Sequence, residues 1–215
     1  MSAPSVDAFV TDSRLRLAVA TRHLIDAVLT SEGATDAELD GVTDAIEALG
    51  DRLHGDAAGG LRPVGRRSRF ERDHTSYLPR SPLVGEVSPI APPFEWSFAN
   101  DRMVGTGVFG AAYEGPPGYV HGGWVALAFD EILGMVNIAG KTPGMTAKLS
   151  VRYRAPTPLH TPVRLETWTE RIEGRRIIAH GTLHAAGQLC AEGEGLFISI
   201  SPELAAKYFG TRSDP

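Results

Sequence analysis

The opening of the chain alternates apolar and polar residues with a helical period. Val10, Leu17 and Leu24 recur every seven residues, with Ile25 and Val28 widening the stripe, which predicts one apolar helix face. SEGAT (31–35) interrupts it, and Thr35 followed by Glu38 has the form of a capping box. Leu39, Val42, Ile46, Leu49 and Leu53 then step 3-4-3-4, with acidic residues on the opposite side. Residues 1–56 therefore read as a helical hairpin extension that packs either on its own domain or on a partner subunit. Residues 57–93 lose periodicity and fill with breakers, from AAGG (57–60) through Pro63, Pro79, Pro82, Pro89, Pro92 and Pro93, so they read as a linker or draped loop. From residue 94 the period changes again. FEWSF (94–98) and 102–114 read as strands, 121–139 as a long apolar helix, and 146–154, 163–171, 175–186 and 189–200 as four more strands. Short turns at EG (173–174) and AG (186–187) make successive strands antiparallel. The fold class is α+β, with one domain over 94–202, a tail over 203–215, and no recurring parallel crossover unit.

Composition narrows the function classes. Of 215 residues, 42% are hydrophobic and 22% charged, enough for a packed core. The net charge of −5 lacks the basic footprint of a nucleic-acid binder, and no nucleic-acid partner is expected. The charge is uneven: residues 1–56 hold 4 Arg against 11 acids, residues 62–80 hold 6 Arg against 2. RRSR (66–69) lies in that basic stretch and suits either solvent or anionic groups. A single cysteine, Cys190, leaves no internal disulfide framework or cysteine-rich zinc site. No metal is expected, because no set of His, Cys and acids has ligand spacing. No run of about 18 uncharged apolar residues and no basic-then-apolar start appear, so the expectation is a cytoplasmic protein without a transmembrane segment.

The long helix carries the chemistry. Between Trp124 and Ala139 only Asp130, Glu131 and Asn137 are polar, the mark of a buried helix. Asp130 and Glu131 point about 100° apart, so one of them enters a pocket and the spacing does not say which. His121-Gly122-Gly123 opens the helix; glycine permits close backbone approach, and first-turn N–H groups lack intrahelical partners. Such amides, at the positive end of the helix dipole, suit a developing oxyanion. Eight residues separate Gly122 from Asp130, or about 12 Å of helix. One helix therefore cannot offer both groups to a single carbonyl; two antiparallel copies can, which makes any such site a dimer site. The following strand alternates, with Ala147, Leu149, Val151 and Tyr153 on one face and Thr146, Lys148, Ser150, Arg152 and Arg154 on the other. A hydroxyl at one end and guanidiniums at the other, joined by Arg175 beyond the 173–174 turn, suit a long ligand with a phosphorylated end. Trp124, Phe129, Met135 and Met145 are candidates for an apolar channel, and equally for the core.

These segments together resemble a known family. VHGGWVALAFDEILG (120–134), TAKLSVRYRAPTPL (146–159), EGRR (173–176) and EGEGLFISI (192–200) are similar, in order and spacing, to the hotdog-fold acyl-CoA thioesterases of the phenylacetate-degradation type. The nearest branch holds thioesterase superfamily members that act on long-chain acyl-CoA. The resemblance covers about residues 94–202 and leaves 1–93 unexplained. It implies a curved antiparallel sheet around one helix, a homodimer or dimer of dimers with active sites across the interface, and an acyl-CoA substrate with no separate cofactor. Carried over by position, it makes Asp130 the general base or nucleophile, Gly122 the oxyanion amide, His121 a shaping neighbour and Thr146 the residue that positions water or carboxylate. Gly123, Arg152, Arg154 and Arg175 become substrate contacts. Some bacterial relatives place an Asn shortly before the His-Gly-Gly; here the stretch reads Glu114-Gly115-Pro116-Pro117. The expected function is acyl-CoA thioester hydrolysis on a medium- to long-chain substrate. The alternative is a non-catalytic acyl-CoA binder or sensor on the same fold; a hydratase would need an Asp/His pairing that is not evident.

Overall fold

The computed structural model describes residues 10–54 and 78–201; the RRSR cluster and the 203–215 tail lie outside them. Two helices open the chain, α1 (Asp12–Thr30) and α2 (Asp36–His54). The capping box between them is present: Glu38 Oε2 accepts from the Thr35 N–H at 2.9 Å, and the Glu38 N–H reaches Thr35 Oγ1 at 3.4 Å. The Thr35 N–H, and with it the Thr35 hydroxyl at 2.8 Å, hold the Glu38 carboxyl below its ordinary pKa. Then come β1 (Glu95–Ala99), β2 (Arg102–Val108), α3 (Gly122–Ala139), β3 (Gly144–Tyr153), β4 (Pro162–Glu173), β5 (Arg176–Ala185) and β6 (Gln188–Ser199). All strand pairs are antiparallel, in one six-stranded sheet ordered β1-β2-β4-β5-β6-β3.

The sheet wraps α3. Phe129, Ile132 and Leu133 are wholly buried against it, and three glycines thin the sheet where the helix presses. A Cβ on Gly193 would come within 2.5 Å of the Phe129 ring. By length and hydropathy α3 passes as a membrane span, but Phe129 and Leu133 pack against the strands of the sheet. Phe129 and Met135 are core, Trp124 stacks edge-on against Tyr113 at 5.0 Å, and Met145 is exposed.

Two expectations change and one alternative is narrowed. The run 102–114 is not one strand: it ends at Val108, and Ala111–Tyr113 form a single 3-10 turn that sinks Phe109 and Tyr113 into the core. Of the linker and the draped loop, residues 78–93 take the form of the second. Leu83, Val84 and Ala91 are buried in the domain core, and Arg22 of α1 donates to Ala91 O at 2.8 Å and Ser88 O at 3.3 Å. Thus α1 does pack on its own domain through this loop, whereas the α2 stripe from Leu39 to Leu53 stays 39–68% exposed. Finally, β3 does not alternate throughout. Thr146 pairs with Phe197 and Lys148 with Leu196, so Ala147 is an extra, bulged residue.

Candidate active site

The entry to α3 is built by local backbone bonds. The His121 N–H donates to Tyr113 O and the Val120 N–H to Thr157 O, both at 2.8 Å. Glu114 accepts from the Gly118 N–H at 2.7 Å and so ties the GPPG turn. Gly118 takes a φ of +80° in that turn. A Cβ on Gly115 would lie 2.6 Å from the His121 Cα, so this turn can back onto His121 only with glycine there.

His121 is the N-cap of α3: its Nδ1 accepts from the Gly123 N–H at 2.9 Å. A neutral ring in this role carries its proton on Nε2. The Trp124 and Val125 N–H groups turn back to His121 O at 2.9 and 3.4 Å. Among the described residues, the Gly122 N–H alone in this first turn has no acceptor. Its own carbonyl accepts from the Tyr153 hydroxyl at 2.8 Å. Gly123 is consumed by the cap, so its role is to hold His121 close rather than to offer a free amide.

The two carboxylates diverge. One turn beyond Asp130, Leu133 lies against Gly195 and Gly134 against the Phe197 ring, so the Asp130 side of the helix faces β6 and the edge strand β3. Asp130 is half-buried there. Glu131 points the other way, under the 78–93 loop, close enough to the Ser81 side chain for Ser81 to lower its carboxyl pKa. Ser81 Oγ in turn accepts from the Leu83 and Val84 N–H groups at 3.1 and 3.2 Å. Glu131 Oε1 is buried with no hydrogen-bond partner. Burial, and secondarily the charge on Asp130, raise the Glu131 pKa against the pull of Ser81. Asp130, then, is the carboxylate that looks toward the open edge.

The bulge decides the rest. Cross-strand partners share a face. Thr146 opposes Phe197, a core residue, while Ser150 and Arg152 oppose Glu194 and Glu192 on the outer face. Thr146 is therefore on the helix side with Leu149, Val151 and Tyr153, and not on the Arg152 face. The single hydroxyl-to-guanidinium track read from alternation does not exist, but Thr146 joins the side that holds Asp130. Arg154 pairs with Glu192 at 2.5 Å. Arg175 donates to Ser199 O at 3.1 Å, and Ser199 pairs with Gly144. Within one protomer Arg175 thus sits at the opposite end of β3 from Arg152 and Arg154.

Ser81 and Tyr153 were missed as site neighbours. For Ser81 no local signal existed, since its contact spans fifty residues of sequence. Tyr153 stood on the correct face of the strand, but nothing in its spacing announced a bond to Gly122. Among the described residues no cluster of three His, Cys, Asp or Glu is arranged to hold a metal ion.

One six-stranded antiparallel sheet closed around a single long helix, with a glycine-flanked cap at the helix start, defines a hotdog-fold protein. Residues 117–191 match the family model described as the Thioesterase superfamily. A crystal structure described as a thioesterase superfamily protein is 30% identical, covers 93% of this chain and 94% of its own, and superposes with a TM-score of 0.77. The chain belongs to the thioesterase superfamily. Acyl-coenzyme A thioesterase THEM4 of Xenopus laevis is 37% identical over 108 residues, 48% of either chain. The mouse protein of that name is 34% identical over 96 residues, 44% of this chain and 41% of its own. The chain thus spans about half the length of the curated relatives it matches.

Proposed function

We propose that this protein is an acyl-CoA thioester hydrolase whose active site is shared between two copies of the chain, and that it works in the cytoplasm on medium- to long-chain substrates. The observation that carries the reading is the Gly122 amide. It is the single unclaimed donor of the α3 first turn, about 12 Å along the helix from the half-buried Asp130. Two-fold pairing of the free β3 edges would run the two helices antiparallel and bring Asp130 of one copy toward Gly122 of the other, with Thr146 on the same helix side of the sheet. The same pairing would carry Arg175 of one copy toward Arg152 and Arg154 of the second, where they would meet the CoA phosphates.

In the general-base form, Asp130 takes a proton from water, whose oxygen attacks the thioester carbonyl carbon. The carbonyl oxygen becomes an oxyanion held by the Gly122 N–H. Collapse breaks the C–S bond, and the departing thiolate takes up a proton to leave as CoA. Attack by the Asp130 carboxylate itself, through an anhydride that water later opens, uses the same groups. Thr146 would position the water or the carboxylate. His121 would shape the site as the helix cap, and Gly123 would line the substrate approach. No cofactor enters either route; CoA is part of the substrate. The relatives named as acyl-CoA thioesterases support this reading.

The test is thiol release from a series of acyl-CoA chain lengths, with wild type and Asp130→Asn compared. A loss of kcat of about 10³-fold is expected, within the range for removing an acid–base group, with assembly and melting temperature kept. Full activity in Asp130→Asn would contradict the assignment. Binding of acyl-CoA by the wild type without release of thiol would leave a binding protein.

A further inference from the structure

We propose that Tyr153 is a positioning residue for the oxyanion amide, acting on the helix start through the Gly122 carbonyl. The inference rests on the thioesterase reading above.

Tyr153 is the last residue of β3 and lies on its helix side, opposite Ala191. Its ring is more than half exposed, so the core does not account for its being there. What it does make is one directed bond: the hydroxyl donates to Gly122 O at 2.8 Å. Its ring lies 3.4 Å from where a Gly122 Cβ would stand, an ordinary contact.

The peptide between Gly122 and Gly123 is thereby held from both sides. Its N–H is bound by His121 Nδ1 and its C=O by Tyr153. With that plane fixed, and the His121 N–H bound to Tyr113 O, the intervening Gly122 N–H has little rotational freedom and points where neither neighbour uses it. Two glycines in succession would otherwise make this the most pliable turn of the helix. An oxyanion donor works by being oriented before charge develops, and small misplacements lower the rate steeply. Tyr153 thus supplies from the edge strand the rigidity that the glycines remove. It couples the helix start to β3, the strand whose edge would form the dimer.

Tyr153→Phe in the full chain keeps the ring and deletes the donor. The expected result is a kcat lower by about tenfold, a fraction of what loss of an oxyanion donor costs, with KM, assembly and melting temperature little changed. The Gly123 amide nitrogen resonance should move, because Gly123 belongs to the peptide whose carbonyl loses its partner. An unmoved Gly123 resonance, a kcat within twofold of wild type, or a defect carried by KM alone would overturn the inference. A wild type that releases no thiol from any acyl-CoA would overturn the thioesterase reading and this inference with it. An active wild type beside an equally active Tyr153→Phe would overturn this inference alone.

Discussion

At the scale of single residues, adjacency in sequence separates two carboxylates in space. Asp130 and Glu131 differ by one step of the helix, yet one faces the open sheet edge and the other is enclosed by the 78–93 loop. Glu131 holds its proton more tightly in the folded chain than a free carboxyl, whose ordinary pKa is 4.5, chiefly because burial disfavours the charge. The unfolded chain therefore binds fewer protons as pH rises past that value, and stability falls until the higher folded pKa is passed. Glu131→Gln removes the cost of ionisation while keeping the size and polarity of the side chain. The variant should melt above the wild type at neutral pH, and this advantage should disappear below the ordinary carboxyl pKa. Thermal melts across pH check it; parallel profiles would contradict it. Gly193→Ala tests the thinning of the sheet, since its Cβ would strike Phe129 at 2.5 Å. Overpacking of this kind costs about 1–3 kcal/mol, readable by chemical denaturation. The helix-start motif was legible because its glycines and histidine are contiguous. The burial of Glu131 was not, because its cover arrives from a distant, aperiodic loop.

At the scale of elements, hydrophobic period located nearly every helix and strand, and positive φ at Gly174, Ala186 and Gly187 fits the tight turns read between β4, β5 and β6. Two features escaped. A bulge leaves the residue types of a strand untouched while reversing their faces, so the alternation of Thr146 with Arg152 gave the wrong side for Thr146. The proline-rich run before β1 read only as a linker or a draped loop, since its hydrophobic residues have no regular period, and its burial in the core was not legible. Arg22 ties α1 to this run, its guanidinium serving two carbonyls of the loop, Ala91 O and Ser88 O. Burial pushes the neighbouring Tyr113 hydroxyl up to about 12, with Arg22 lowering it and Asp26 raising it. Arg22→Ala should therefore destabilise the chain by about 2 kcal/mol, the scale of hydrogen bonds to a charged group. It should also speed proteolysis in the 31–35 turn as α1 loosens. An unchanged denaturation midpoint would show that α1 is held by other contacts.

At the scale of the whole molecule, the groups proposed for chemistry are spread along one long helix and an exposed edge strand. Gly122 and Tyr153 mark one end of β3 and Thr146 the other, while Asp130 follows Phe129, which lies against Gly193, the partner of Val151; about 12 Å of helix separates Asp130 from Gly122. The helix geometry that separates them was readable from eight residues of spacing, without knowledge of the sheet. The arrangement of Arg175 apart from Arg152 and Arg154 was not, because it depends on which strands neighbour β3.

Sharing of the site between subunits is tested most directly by mixing two inactive variants. Asp130→Asn removes the carboxylate. Gly122→Pro removes the amide hydrogen at the first helical position, where proline is well tolerated, after a residue already extended at ψ 132°. In a two-fold dimer holding one copy of each, one site receives both lesions and the other receives neither. Random exchange of subunits should therefore restore about one quarter of wild-type thioester hydrolysis. A mixture as inactive as its two components, with exchange verified, would contradict a shared site.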